Sequence, residues 1–208
     1  MFKPFVVRFV RPRAPHTSGF RLKGAVLAVA LAATCLAATT SFADLHPNVR
    51  HGWFLGFAAG GGSAGLTGDG ESSDREGGSA GSLRAGYAIS PDWGIGGEGN
   101  MWFKSQGGVD FTLSTFTASV YYYPGQSGLV LRGGIGGGDA EAEVSQGNTT
   151  VTATESGLGI SAGVGYDIRL ARTFALGPQL DFGYVNVDSF DANYFNLGVS
   201  FNWYFIPK

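Results

Sequence analysis

Side chains that could perform acid–base or nucleophilic chemistry are few in this 208-residue chain. The chain has three histidines, His16, His46 and His51, and a single cysteine, Cys35. Histidine is the commonest general base in enzymes, and all three histidines lie before or at the start of the first predicted strand. We therefore expect no catalytic residues, no metal site and no bound cofactor.

Two glycine-rich stretches, residues 60–65 and 94–99, match the spacing of a dinucleotide-binding loop. Such a loop must open a helix at its last glycine, whereas strand-like alternation or a loop follows both stretches here. With 35 glycines in the chain, matches of this kind are expected by chance. The glycines are better explained as residues that relieve crowding between strands.

Six charged residues share a face with Gly, Ser and Asn in segments whose other face is apolar: Arg84, Glu98, Lys104, Arg132, Asp167 and Asp181. They could fill an interior as a polar network, or they could line a narrow regulated path for water or ions. Arg84 and Glu98 flank the turn at 90–93 at similar distances, so we expect them to lie opposite or one diagonal apart and to form an ion pair. Arg132 and Asp181 could extend that pair.

The elements that position these residues are strands. After residue 43 no 3.6-residue apolar period persists. Eight segments with a period of two occur instead, at 52–62, 80–90, 93–104, 111–123, 128–138, 157–169, 173–185 and 196–205. Short turns at 90–93, 124–128 and 170–173 alternate with longer connections at 67–78, 105–109, 139–156 and 186–193. This alternation is typical of an antiparallel up-and-down meander with all of its long loops at one end.

The composition of the two faces indicates which one points inward. The less apolar face carries only one or two charges per segment, too few for a surface in water, and its small residues suit the crowded interior of an eight-stranded barrel. We therefore predict an all-β fold, an eight-stranded antiparallel up-and-down transmembrane β-barrel with its apolar face toward lipid. Aromatic residues gather toward segment ends, as they do at membrane interfaces: Trp53, Tyr87, Trp93, Phe103, Tyr122, Tyr184, Trp203 and Phe205.

The two ends of the chain complete the predicted organisation. Because a sheet edge is not tolerated in hydrocarbon, the last segment must pair with the first, and an even number of strands leaves both termini on the periplasmic side. Residues 1–43 have the pattern of a secretory signal peptide with a long basic n-region, an apolar run at 25–38, and small Ser41 and Ala43 before the cleavage point. A short periplasmic lead-in (44–51), the barrel (52–205) and a tail (206–208) follow.

The predicted mature protein is acidic. The first 43 residues hold six of the 14 basic residues and none of the 16 acidic ones, so the remainder has a net charge of −8, which argues against binding to nucleic acid. Nine carboxylates fall in the predicted external loops: Asp69, Glu71, Asp74, Glu76, Asp139, Glu141, Glu143, Asp188 and Asp191. They could share divalent cations with anionic lipid headgroups, or they could form a solvated, self-repelling surface.

Residues 52–205 resemble the small eight-stranded outer-membrane barrels of the OmpA and OmpX type. The stretch "NLGVSFNW" resembles the C-terminal assembly signal of that family, with Asn196, Gly198, Phe201 and Trp203 in place and Phe205 beyond them. The resemblance implies a monomer in the outer membrane of a Gram-negative bacterium, in contact with outer-membrane lipid and lipopolysaccharide and recognised by the barrel-assembly machinery.

The resemblance does not select one function, because this fold hosts many roles. We expect a structural or surface-interaction role through the acidic external loops, with the loop ligand left open. The alternative is a narrow pore or conduit for small solutes, including small apolar molecules.

Overall fold

The computed structural model describes residues 50–68, 71–146 and 149–205. The predicted signal peptide, residues 44–49 of the lead-in, Asp69 and the tail at 206–208 lie outside the described residues.

Eight long strands and two short ones make up the described chain. The long strands are β1 (Gly52–Gly68), β3 (Glu76–Ala88), β4 (Trp93–Gln106), β5 (Val109–Tyr122), β6 (Leu129–Gln146), β7 (Thr149–Tyr166), β9 (Phe174–Asn186) and β10 (Asp191–Phe205). The short strands β2 (Glu71–Ser72) and β8 (Ile168–Ala171) extend two of the hairpins. A 3₁₀ turn, Pro124–Gln126, joins β5 to β6. No helix within the described ranges is long and apolar enough to cross a bilayer.

The long strands form a closed ring. Each pairs antiparallel with its neighbours in chain order, and the ring closes where β1 pairs with β10 from Trp53–Phe205 to Thr67–Asp191. The predicted eight-stranded antiparallel up-and-down barrel is thereby confirmed, including pairing of the last strand with the first. Closure leaves no sheet edge along the wall of the barrel, as a hydrocarbon environment requires.

The two faces of each strand point as predicted. On β10, Leu197, Val199 and Phe205 are exposed, whereas the residues between them, Asn196, Ser200, Asn202 and Tyr204, are buried. Within the ring, the other long strands also place exposed apolar side chains on one face and more buried side chains on the other, so a band of exposed apolar side chains surrounds the barrel.

Most of the predicted interfacial aromatics collect at one end of the barrel. We call this end, which holds the connections at 89–92, 123–128 and 172–173, the short-turn end, and the opposite end the hairpin end. Outward rings meet in pairs at the short-turn end, with centroid separations of 5.3 Å for Trp53–Tyr87, 4.5 Å for Trp93–Tyr122 and 5.1 Å for Phe174–Trp203. Phe103 and Tyr184 lie toward the hairpin end. The aromatic belt is therefore heavier at the short-turn end.

The predicted connections at the hairpin end are wrong in two places. The loop predicted at 139–156 is mostly strand, because β6 continues to Gln146 and β7 begins at Thr149. The loop predicted at 105–109 is a tight turn at Gly107 and Gly108, both with positive φ, as a two-residue hairpin turn requires. In 139–156, acidic residues and threonine alternate with alanine and valine: Ala140, Ala142 and Val144, then Val151 and Ala153. This period of two is only weakly apolar and does not by itself indicate a strand, and pairing between β6 and β7 extends both strands through it.

The interior is less polar than the sequence predicts. Two groups of buried apolar side chains cross it. The short-turn layer consists of Phe54, Tyr121, Tyr123, Val130, Ala175 and Tyr204. The hairpin-end layer consists of Ala64, Trp102, Leu113, Ala140, Val185, Val187, Ala192 and Tyr194. These residues share strand parity with the polar face, and the charged residues lie between and around the two layers.

The outward apolar band yields a stability prediction. Ile135 is 60% exposed, about midway along the wall, and Val151 is 63% exposed on β7 beyond the closed ring. We expect Ile135→Lys to lower the free energy of unfolding by about 2–4 kcal/mol, because a cation at mid-bilayer depth must leave water. Val151→Lys is the matched control and should change it by less than about 0.5 kcal/mol, as at an exposed site in water.

Denaturant unfolding in lipid vesicles, followed by tryptophan fluorescence, measures both variants. Equal effects of the two substitutions would contradict the orientation of the barrel.

Candidate functional site

A three-membered ion network occupies the middle of the lumen. Arg132 on β6 donates from Nε to Oε1 of Glu98 at 3.0 Å and from Nη2 to Oδ1 of Asp181, and all three side chains are buried. We call Glu98, Arg132 and Asp181 the central triad. Both carboxylates face the one guanidinium, because strands β4 and β9 lie on opposite sides of β6 in the ring.

The remaining acceptors of the central triad are also used. Glu98 accepts hydrogen bonds from Asn100 Nδ2 at 3.1 Å and from Tyr121 Oη at 3.3 Å. Asp181 accepts one from Gln179 Nε2 at 2.6 Å. A buried ion pair is tolerated only when its remaining lone pairs are satisfied. The central triad therefore has the features of a structural core network.

Two glycines make room for the lumen arginines. A Cβ at Gly163 would lie 2.7 Å from Cζ of Arg132 and 2.7 Å from Oδ1 of Asp181, and a Cβ at Gly56 would lie 2.2 Å from Oδ1 of Asn202. All three distances are far below van der Waals contact. Glycine at these positions lets a guanidinium lie flat across the neighbouring strand.

The predicted ion pair between Arg84 and Glu98 is wrong. The two residues face each other directly in the β3–β4 register, but Arg84 donates from Nε and Nη2 to Oδ1 of Asn202, at 3.1 and 2.9 Å. Arg132 pairs with Glu98 instead. Long side chains reach across a narrow lumen, so the partner comes from a distant strand and not from the adjacent one.

A second polar group closes the short-turn end. Arg50, just before β1, donates to the carbonyl of Ser127 at 2.8 Å and pairs with Asp167 at 3.1 Å. Tyr204 donates its hydroxyl to Asp167. The guanidinium of Arg50 also lies 4.2 Å from the ring centroid of Tyr123. We call these residues, Arg50, Tyr123, Asp167 and Tyr204, the end cluster.

The neighbours of Arg50 and Tyr123 fix the ionisation states of these two side chains in the end cluster. Burial by itself would lower the pKa of Arg50, but Tyr204 and Asp167 hold it above the usual value. Burial raises the pKa of Tyr123, and the carboxylate of Asp167 raises it further. Arg50 therefore stays charged and Tyr123 stays neutral. Asn202 connects this cluster to the rest of the lumen, since its Nδ2 donates to Asp167 at 2.7 Å while its Oδ1 accepts from Arg84.

Sequence reasoning missed Arg50 and the tyrosines. Arg50 is a lone cation before the first strand, and nothing in its neighbourhood indicates that it turns into the barrel. Tyr121, Tyr194 and Tyr204 share strand parity with the inner face, and that signal alone could have identified them. Their hydroxyls supply hydrogen bonds among buried groups, as buried tyrosines usually do.

Lys104 does not belong to the buried network, contrary to the prediction. Its Nζ lies 2.5 Å from Oε2 of Glu76 near the hairpin-end rim, where the Glu76 side chain is mostly exposed. Glu76 itself lies in β3 and not in a loop. The pair therefore belongs to the rim, above the hairpin-end layer.

The space left inside the barrel is small. The cavity between the central triad and the end cluster has a volume of ≈ 10 Å³ and is lined by Arg84, Tyr121, Arg132, Asp167 and others. This is about the room that one water molecule needs. The hairpin-end layer, with Trp102, Leu113 and Tyr194 almost fully buried, separates this cavity from the opposite end.

The second candidate site is the group of strands that project at the hairpin end. Asp139, Glu141 and Glu143 lie on β6 and face outward, opposite Ser156, Thr154 and Thr152 of β7. Asp110 of β5 stands opposite Glu143 in the register. These four acids form an outward acidic row on strands, although Asp139, Glu141 and Glu143 were predicted to lie in a loop.

The other predicted loop acids have varied positions. Asp74 and Asp188 lie between strands, Glu71 lies in β2, and Asp191 begins β10. Asn186 Nδ2 donates to Asp191 at 2.5 Å. Among the described residues, no group of three or more His, Cys, Asp or Glu side chains is placed to hold a metal ion.

The residues of the predicted assembly signal lie on β10. Phe201, Trp203 and Phe205 point outward, and Phe201 stacks on Phe57 of β1 at a centroid distance of 4.7 Å. Asn196 points inward and is buried. Their role in assembly stays a prediction.

Comparison with known proteins finds a matching family and solved structures of similar fold. Residues 26–202 match the model of a family described as the outer membrane protein beta-barrel domain. Among curated proteins, no match is found.

Solved structures resemble the chain in fold. The crystal structure of Ail, the attachment invasion locus protein of Yersinia pestis, in complex with the heparin analogue sucrose octasulfate, has a TM-score of 0.56 at 18% identity. The matched region covers 73% of this chain and 99% of the Ail chain. The structure of Neisserial surface protein A has a TM-score of 0.52 at 20% identity, covering 74% of this chain and 97% of its own. At these identities, the likeness establishes the fold alone.

The central triad yields a second stability prediction. Arg132→Met leaves Glu98 and Asp181 buried without their cation, and breaking a buried pair in this way costs about 3–5 kcal/mol. The control, Lys104→Met, removes a rim cation whose partner is exposed, and it should cost no more than about 1 kcal/mol.

Denaturant midpoints and slopes of the two variants in the same lipid vesicles measure the difference. If Arg132→Met cost no more than Lys104→Met, the central triad would not stabilise the barrel.

Proposed function

This chain belongs to the outer membrane protein beta-barrel family and is located in the bacterial outer membrane, and from that premise we propose that it is a closed barrel with a structural and surface-interaction role. The acidic strands that project from its external, hairpin end carry that role. One observation supports this proposal above the others. The strands β5 and β6 carry a row of carboxylates on their outward face at the hairpin end.

The charge at the external end supports an interaction with cationic surfaces. Within the described residues, the cations at this end are Arg75 and Lys104. The carboxylates there are Asp74, Glu76, Asp110, Asp139, Glu141, Glu143, Glu155, Asp188 and Asp191. A surface with such a single-sign excess attracts partners of opposite charge and repels those of like charge.

The structure of Ail was solved with a heparin analogue, but the electrostatics of this chain argue against a similar ligand. A sulfated polyanion would be repelled by the carboxylates at the external end. One exposed cation, Arg75, is also engaged, with Nη1 donating to Asn193 at 2.5 Å and Nη2 donating to the carbonyl of Ser63 at 2.6 Å. We therefore propose cationic and not anionic partners.

The filled lumen favours the structural role over the alternative of a pore or conduit. The central triad, the end cluster and the two apolar layers occupy the interior, and the cavity among them holds about one water. An apolar solute would also meet the charges of the central triad. A hydrated ion or an apolar molecule would have to displace these side chains to cross the barrel.

Three further expectations belong to the same proposal. Lipid and lipopolysaccharide would contact the outward apolar band, and the barrel-assembly machinery would recognise β10 through Phe201, Trp203 and Phe205. The barrel would be a monomer in the membrane. No catalytic role is proposed, since His51, the one histidine among the described residues, is exposed beside the start of β1 at the short-turn end.

The closed lumen leads to an expected result in planar bilayers. The purified barrel should give no stable single-channel current, because both apolar layers and the central triad obstruct the path. A wide porin inserted from the same detergent is the positive control. A steady current that disappears when the lumen is blocked would support the pore alternative.

Surface binding tests the interaction role. The barrel in nanodiscs should bind polylysine but not heparin at low salt, and added salt should weaken binding because these charges are exposed. Neutralising the acidic row with Asp139→Asn, Glu141→Gln and Glu143→Gln should weaken polylysine binding about tenfold or more. Asp92→Asn, which removes a carboxylate at the opposite end, is the control.

Biosensor titrations at two salt concentrations measure these affinities. Tighter binding of heparin than of polylysine would contradict the charge argument.

A further inference from the structure

Arg84 is buried in the lumen without a carboxylate beside it. The residue is 6% exposed, and its Nε and Nη2 both donate to one neutral acceptor, Oδ1 of Asn202. Ion pairs among the described residues join Arg50 to Asp167, Lys104 to Glu76, and Arg132 to both acids of the central triad, and Arg84 takes part in none of them. A buried charge without a charged partner is costly, so Arg84 needs a further source of negative charge.

The buried charges of the lumen do not cancel. Within the described chain, one positive charge remains in excess, because four arginines but only three carboxylates are buried: Arg50, Arg84, Arg132 and Arg169, and Glu98, Asp167 and Asp181. Arginine does not lose its proton in a protein, so deprotonation cannot remove the excess. Arg169 lies in β8 at the short-turn end, where its Nη1 donates to the carbonyl of Arg172 at 3.0 Å. Arg84 lies deeper, beside the central triad.

A small cavity adjoins Arg84. It is the cavity of ≈ 10 Å³ between the central triad and the end cluster, and its walls include Arg84, Tyr123, Ser200 and Asn202. Nη1 of Arg84 is buried and has no hydrogen-bond partner among the described residues. Because Asn202 holds Nε and Nη2 of the same guanidinium, we place Nη1 at the wall of this cavity.

The carboxylate that lines the cavity is already paired. Oδ2 of Asp167 accepts from Arg50 at 3.1 Å and from the hydroxyl of Tyr204, and Oδ1 accepts from Asn202 at 2.7 Å. The guanidinium of Arg50 offsets the negative charge of Asp167. Asp167 therefore neither compensates Arg84 nor leaves a strong repulsion toward a second anion in the cavity.

We propose that this cavity is an anion site, in which one small monovalent anion binds Nη1 of Arg84, and that in ordinary salt solutions the anion is chloride. A water molecule would accept the hydrogen bond but leave the charge in place, whereas an anion does both, and charge-assisted hydrogen bonds are the stronger kind. Chloride is slightly larger than water, and a small shift of the flexible Arg84 side chain provides the extra room. Large anions such as gluconate do not fit.

A bound anion at this depth does not turn the barrel into a pore. The hairpin-end layer separates the cavity from the external end, and the end cluster covers the cavity toward the short turns. The anion is a fixed counter-ion that completes the interior. This inference does not depend on the proposed surface role, so either can fail without the other.

Long-wavelength X-ray data from crystals grown in sodium chloride test the site directly, because chloride scatters anomalously at such wavelengths far more than the oxygen of water. We expect an anomalous difference peak inside the barrel beside Nη1 of Arg84. The peak should be missing in Arg84→Met and present in the matched control Arg75→Met, which removes an exposed arginine at the hairpin end. No peak at this place, or chloride on the surface alone, would overturn the proposal.

Unfolding by urea in lipid vesicles gives a second measurement, since a ligand that binds only the folded state raises stability as its concentration rises. We expect the urea midpoint to rise when sodium chloride replaces sodium gluconate at constant ionic strength. Above the Kd, each tenfold increase in chloride should raise the ratio of folded to unfolded protein about tenfold. Arg84→Met should not respond to chloride, and Arg75→Met should respond as the natural sequence does.

The two measurements together decide the proposal. A chloride response that persists in Arg84→Met would contradict it, because the stabilising ion would then bind elsewhere. If Arg84→Met does not fold, the anomalous map of the natural sequence decides by itself, through the presence or absence of the peak beside Arg84.

Discussion

The rest of this structure depends on the need of every backbone N–H and C=O group for a partner where water is absent. In a sheet that lies in lipid, this need is met only by a closed ring. The pairing of β1 with β10 over 15 residue pairs provides the closure. Once the ring is closed with eight strands, its diameter is set, and the interior is narrow enough for side chains to fill it.

The interior shows how a narrow lumen accommodates charge. Arg132 is held between Glu98 and Asp181, and Arg50 is held by Asp167. Glycines on neighbouring strands leave space for the guanidinium groups, most tightly at Gly163. Buried charges without partners would be costly, so pairing, hydrogen bonding and close packing occur together. The apolar layers on either side complete the filling.

Beyond the membrane the constraint is relaxed, and the structure changes there. Water can satisfy the backbone, so β6 and β7 extend while β9 stops at Asn186. In this region β7 pairs on one side alone, since its residues 149–157 pair with β6 and not with β9. The same strands carry the carboxylates of the acidic row, which could not face lipid. The extension of β6 and β7, their outward carboxylates and the one-sided pairing of β7 are thus consequences of one boundary between hydrocarbon and water.

The sequence by itself determined the class of fold and the direction of its faces. A period of two in Leu197, Val199 and Phe205, together with sparse charge on the opposite face, suffices to predict strands with their apolar side in lipid, and closure follows from backbone chemistry. Tertiary structure alone decided which charges meet. Periodicity assigns Arg84 and Glu98 to one face, but side-chain reach across the lumen decides that Arg84 bonds to Asn202 and Glu98 to Arg132. Tertiary structure also decided the length of β6 and β7, because the alternation in residues 139–156 rests on alanine and two valines and is too weakly apolar to indicate a strand by itself.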